Sequence, residues 1–302
     1  MMNRTRILLV LVLLAITGAA WAEERIQVQA GPLTLEAPVD LRGKAEALAS
    51  RIELVLPRLE DDLGATFAGP FKLYLIPRGI YSDPELEELD YGAPAWAAGY
   101  ILPDQRIGAV RMREAERYPH NDAFSVVVHE CVHMLLYDAG GNRFPRWFQE
   151  GVSTRETRRW GLRDTFIYSS WLVRGDLPGL DRLDQAFHRS EDGARFAYAA
   201  SFDFVSWSVG QHGRDALRRV VQETGSRPFA GAWLVATGSS LAEDAAGWRH
   251  HALMRYRWVP WITSGTTLWL AITILFLVSI IRRRARNRQI LRGWGEEEAY
   301  NS

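Results

Sequence analysis

Apolar and polar residues alternate over 26–29 and 33–35, on either side of Gly31-Pro32. That is the period of two short strands joined by a turn. From 40 to 63 apolar positions recur at helical spacing, and Gly64 stops the run. Residues 71–76 read as a strand closed by Pro77, and the Asp- and Glu-rich segment after it, through Ala93, reads as a loop. A second hairpin is expected over 97–102 and 106–110, across Pro103-Asp104. Beyond Asn121 the period turns helical almost throughout, over 122–138, 148–160, 180–189, 196–211, 215–223, 230–236 and 241–256. The pattern is α+β: a small N-terminal mixed sheet with helices, then a mostly helical C-terminal half.

Two segments break this pattern. Arg4 and Arg6 precede an apolar run from Ile7 to Ile16, and Ala20-Trp21-Ala22 follows, the layout of a secretory signal peptide over 1–22. An uncleaved signal anchor would leave the body on the same side. No cysteine follows Ala22, which excludes lipoprotein processing. Near the other end, 261–281 holds no charged residue, with Trp258 and Trp261 before it and Arg282, Arg283, Arg284, Arg286 and Arg288 behind. Such a stretch is expected to cross a bilayer with its basic end inside. The expected organisation is thus an exported domain over 23–257, one C-terminal transmembrane helix over 258–281 and a basic cytoplasmic tail over 282–302. The expected location is the bacterial inner membrane, single-pass, with the catalytic domain periplasmic or otherwise extracytoplasmic and the lipid bilayer as a partner through that helix.

Composition adds limits. The chain has 47% hydrophobic and 24% charged residues and no formal net charge, so it folds around a core and carries no signal for nucleic acid. The single cysteine, Cys131, rules out an intramolecular disulfide framework and any Cys-pair metal site.

The candidate chemistry lies in Val126-Val127-Val128-His129-Glu130-Cys131-Val132-His133. On a helix, His129 and His133 stand one turn apart on one face, so two imidazoles reach one ion. Glu130 adjoins the first ligand, near enough to take a proton from metal-bound water, and the apolar flanks leave no solvated face for incidental histidines. Cys131, about 200° around the helix from His129, points into the core. A catalytic zinc needs a third protein ligand and an open position. Downstream come Gly140-Gly141 and then Pro145-Arg146-Trp147-Phe148-Gln149-Glu150-Gly151. Glu150, Glu156, Asp122, His120 and His188 are the candidates for that third place.

HExxH followed by W-x-x-E-G resembles the gluzincin zinc metallopeptidases, in particular the compact peptidase-MA-like families. Tyr198 with Ser201-Phe202 and Phe204-Val205 is similar to a further segment of theirs, and Thr237-Gly238, Leu241 and Trp248-Arg249 are similar to their closing helix; the likeness spans about 71–256. It implies one Zn²⁺ per chain on His129, His133 and Glu150, with Glu130 as general base. It implies Tyr198 as the donor to the oxyanion, a residue that also reads as a core tyrosine among Phe196, Phe202 and Phe204. It further implies that the strand near Gly99 and Tyr100 pairs with extended substrate. The pattern departs in one place: one turn past Glu150, where a carboxylate orienting a ligand histidine is usual, stands Thr154. The expected function is therefore a membrane-anchored zinc metalloendopeptidase acting on peptide or protein near the membrane. The alternative is a zinc-binding pseudopeptidase serving as an envelope interaction or assembly module.

Overall fold

The computed structural model describes residues 24–77, 84–117, 120, 122–157, 160–174, 177–187, 190–256, 258 and 265–300. The chain begins with β1 (Arg25–Ala30) and β2 (Leu33–Pro38), joined through Gly31 at φ +54°. A short 3-10 turn leads into α1 (Arg42–Leu63), which ends on Gly64 at φ +62°, a left-handed position that glycine adopts at least cost. There follow β3 (Phe71–Ile76), α2 (Pro84–Tyr91), β4 (Gly99–Leu102), β5 (Ile107–Arg111) and the short α3 (Met112–Ala115).

These strands form a five-stranded sheet in the order β1-β2-β3-β5-β4. β2, β3 and β5 run parallel, and β1 and β4 close the two edges antiparallel, so the sheet is mixed, as expected. Leu33, Leu35, Phe71, Leu73 and Leu75 are buried at every second position.

The helical half holds α4 (Ala123–Gly140), α5 (Arg146–Thr157), α6 (Leu162–Arg174), α7 (Leu180–Ala186), α8 (Glu191–His212), α9 (Arg214–Thr224), α10 (Phe229–Thr237), α11 (Leu241–Tyr256) and α12 (Gly265–Tyr300). α4 packs on β4 and β5 on one side and on α5 on the other, while α5 packs on α8. Contacts divide the chain into two compact units, Met1–Trp160 with Pro178–Trp248, and Gly161–Leu177 with Arg249–Ser302.

Two elements differ from the pattern reading. The acidic segment expected as a loop contains α2, where Pro84 takes the first helical position and Leu86 packs with Ile76 and Ala109. α6 was not expected either; its hydroxyl residues fold back on the preceding turn, Thr165 to Gly161 O and Ser170 to Phe166 O. Serine and threonine there mask a helical period.

The C-terminal expectation is corrected. Among the described residues, no helix is long and apolar enough to cross a membrane. The described part of α12 runs from Gly265, and 261–264 lie outside the described residues. At ~1.5 Å per residue the described apolar part, Gly265 to Ile281, measures roughly 25 Å against a hydrocarbon core of ~30 Å. Among the described residues the fold is thus α+β, and the transmembrane helix expected over 258–281 is not found. The single-pass inner-membrane localisation, the bilayer as partner and the membrane anchoring of the function all rested on that helix and are not supported. The signal-peptide segment 1–22 lies outside the described residues.

Candidate metal centre

α4 is the most buried helix of the centre, and its residues show why. Val126, Val127, Val128, Val132, Leu135 and Leu136 are buried, and among them His129 and Glu130 are buried too, while His133 is partly exposed. Asp122 caps the helix by accepting from the Ser125 amide at 2.6 Å. The glycines at the far end turn the chain back: Gly141, at φ +60°, donates to Tyr137 O. α5 then starts after Pro145, and the carboxylate of Asp184 on α7 accepts from the Trp147 amide at 2.7 Å. This cap comes from a neighbouring element. Gly151 sets the depth of the helix packing, because a side chain there would stand 2.6 Å from Ser201 O on α8.

This packing brings Glu150 over the two histidines. One oxygen, Oε2, lies 3.2 Å from His129 Nε2 and 3.3 Å from His133 Nε2. The three donor atoms lie within 4.8 Å of one another, able to chelate one divalent cation. His129 and Glu150 are 5% exposed, so neither is a surface group that happens to sit near the other. Burial raises the Glu150 carboxyl, but the charge of His133 and hydrogen bonds from both imidazoles outweigh it and hold it well below the usual carboxylate range. Burial alone would pull His133 down, whereas the charge and hydrogen bond of Glu150 carry it above its ordinary value. An anionic carboxylate turned toward two imidazole nitrogens is the donor set that borderline-soft divalent ions favour.

Glu130 is 4% exposed and stands outside that triad. Burial pushes its carboxyl up to about 7, with the charge of His133 opposing and that of Glu150 adding. Its Oε1 rests against the backbone at Gly99, where a side chain would come within 2.8 Å. The first residue of β4 thus touches the base candidate, and β4 forms the outer edge of the sheet. A cleft of about 790 Å³ runs beside it, lined by Leu89, Trp96, Tyr100, Leu102, Arg146 and Phe187 among others. Arg111 fixes one wall by donating to Asp90 Oδ1 at 2.9 Å and to the carbonyls of Pro94 and Ala97.

Tyr198 on α8 is half-buried, its ring 6.4 Å from that of His129 and 5.1 Å from that of Phe187. Burial and the neighbouring Glu150 raise its hydroxyl well above the ordinary phenol range, against the opposing charge of Arg146, so it stays a proton donor. The remaining third-ligand candidates fall away. Glu156 pairs with Arg155 at 2.8 Å, and Asp122 is occupied as a cap. His120 lies edge-on to His129 at 5.9 Å between ring centres, nearer the centre than its polar surroundings implied, but outside the chelating group. His188 lies outside the described residues. The Cys131 thiol is fully buried, and burial followed by the charge of Glu130 drives its pKa far up, so it is inert.

Sequence reasoning missed three supports. Arg146 was legible as an i,i+4 partner of Glu150; its Nε stands 3.4 Å from Glu150 Oε1. Gly99 was read only as strand backbone for substrate, not as a contact of Glu130, and Asp184 gave no signal, because each acts on an element distant in the chain.

Comparison with protein-family models finds no match, and comparison with curated proteins finds none either. The centre itself defines the class. A buried His129-Glu130-x-x-His133 with Glu150 beside it matches the HExxH-plus-downstream-glutamate zinc-peptidase architecture, and is consistent with a metalloendopeptidase active site.

Proposed function

We propose that the chain is a zinc-dependent endopeptidase whose metal is held by His129, His133 and Glu150, with Glu130 as general base. The observation that carries the reading is the convergence of Nε2 of both histidines on one oxygen of a buried glutamate, with a second buried carboxyl alongside. Held by His129, His133 and Glu150, a divalent ion would supply Lewis acidity to the scissile carbonyl and to water. Glu130, with a pKa near neutrality, takes the proton of the attacking water and delivers it to the leaving amine. Tyr198, kept protonated, donates to the oxygen on which negative charge grows. Extended peptide adds to the edge strand β4, and its side chains enter the cleft past Tyr100 and Phe187.

Glu130→Gln keeps the shape of the side chain and removes the base. Peptide hydrolysis should fall by at least the ~10²–10⁴-fold that general-base catalysis contributes, with zinc content unchanged. Full activity in a zinc-loaded Glu130→Gln protein would overturn the mechanism.

A further inference from the structure

The centre lacks a carboxylate behind a ligand histidine at the expected place; that position is Thr154, which is buried. Support comes from another direction. Glu150 uses its two oxygens differently: Oε2 faces both imidazoles, and Oε1 faces the Arg146 guanidinium at 3.4 Å. Arg146 and Glu150 are one turn apart on α5, so the helix itself sets their separation. The guanidinium has two further neighbours: it stacks over the Phe187 ring at 5.1 Å, and its charge acts on the Tyr198 hydroxyl, while its outer face forms part of the cleft wall.

We infer that Arg146 is the positioning residue of the metal centre: by holding Glu150 Oε1 it presents Oε2 alone to the ion. A carboxylate free to rotate would offer both oxygens and close the position that substrate needs. Residues that orient a ligand in this way typically govern affinity by ~10–100-fold. Arg146 also ties the third ligand to Tyr198, so loss of the guanidinium moves two groups on two helices together. This rests on the metal-binding reading of the preceding section, but not on its chemistry.

The test is metal binding by the full chain, read by zinc competition with a chelator and by the visible spectrum of the cobalt(II)-loaded protein. Arg146→Gln removes the charge and the fork, and should weaken zinc ~10–100-fold and shift the cobalt bands. Arg146→Lys keeps the charge but not the planar fork, so its affinity should fall between the two and its cobalt spectrum should still differ from wild type. Circular dichroism identifies a variant that has unfolded. Should Arg146→Gln not fold, Arg146→Lys decides alone, and a wild-type cobalt spectrum there overturns the assignment. Folded variants that both hold zinc within about twofold of wild type, well short of the range for such residues, overturn it too. A wild-type chain that binds metal but cleaves no peptide would sink the peptidase reading and leave this one standing. A wild-type chain that binds no divalent ion would sink both.

Discussion

Glu130 is a carboxyl that burial makes reluctant to ionise, and this has a cost that pH reveals. Its pKa stands at about 7 against an ordinary 4.5. Below 4.5 both folded and unfolded chains carry it protonated, and it takes nothing from stability. Between 4.5 and 7 the unfolded chain releases the proton first, so the metal-free fold loses stability as pH rises, by about 3 kcal/mol once above 7. Glu130→Gln should therefore raise the melting temperature of the metal-free protein at pH 8 and leave it little changed at pH 4. Thermal unfolding at the two pH values checks this; an equal effect at both would show that Glu130 is not buried in the protonated form. His129, Glu130 and His133 were legible because their chemistry needs only local spacing. Tyr198 was half legible, since an aromatic helix serves a core equally well, and its ring does pack against Phe187.

Between neighbouring elements, the centre depends on how closely helices can approach. α5 and α8 meet at Gly151, where an added methyl would stand 2.6 Å from Ser201 O and 2.7 Å from Val205. Backbone cannot yield as a flexible side chain does, so Gly151→Ala should push α5 outward and cost about 1–3 kcal/mol. Because Glu150 is the preceding residue, zinc affinity should fall with it. Urea denaturation with a zinc titration measures both, and a stable variant with native affinity would contradict this account of the packing. The glycine of W-x-x-E-G is visible in the sequence, but its reason is not, since it lies on α8. The same holds for α5's cap, which Asp184 supplies from α7. Arg106 is a third instance. It turns the β4–β5 hairpin at φ +57° and grips Asp138 of α4 through both terminal guanidinium nitrogens, Nη1 and Nη2, at 2.7 and 3.1 Å. A hairpin and a helix 32 residues apart are joined there by a side chain that no periodicity marks.

Taken whole, the chain follows its hydrophobic pattern where each element buries one face. The five strands, the metal helix and most of the helical second half, α6 excepted, emerged from period alone. The sheet order did not, because β3 lies between β2 and β5 through parallel pairings that alternation cannot encode. The C-terminal apolar run misled for a different reason. Absence of charge over 261–281 marks an apolar run but not the length of helix that carries it, and among the described residues no helix is long and apolar enough to cross a membrane. What remains is a centre whose parts come from distant places, with two histidines on one helix, a glutamate on the next and an edge strand against the base. Its decisive test is the equilibrium zinc affinity of Glu150→Ala beside wild type. Wild type should bind one zinc per chain. Glu150→Ala should lose more than the ~10–100-fold that removal of a supporting contact costs, and undiminished affinity would contradict the centre described here.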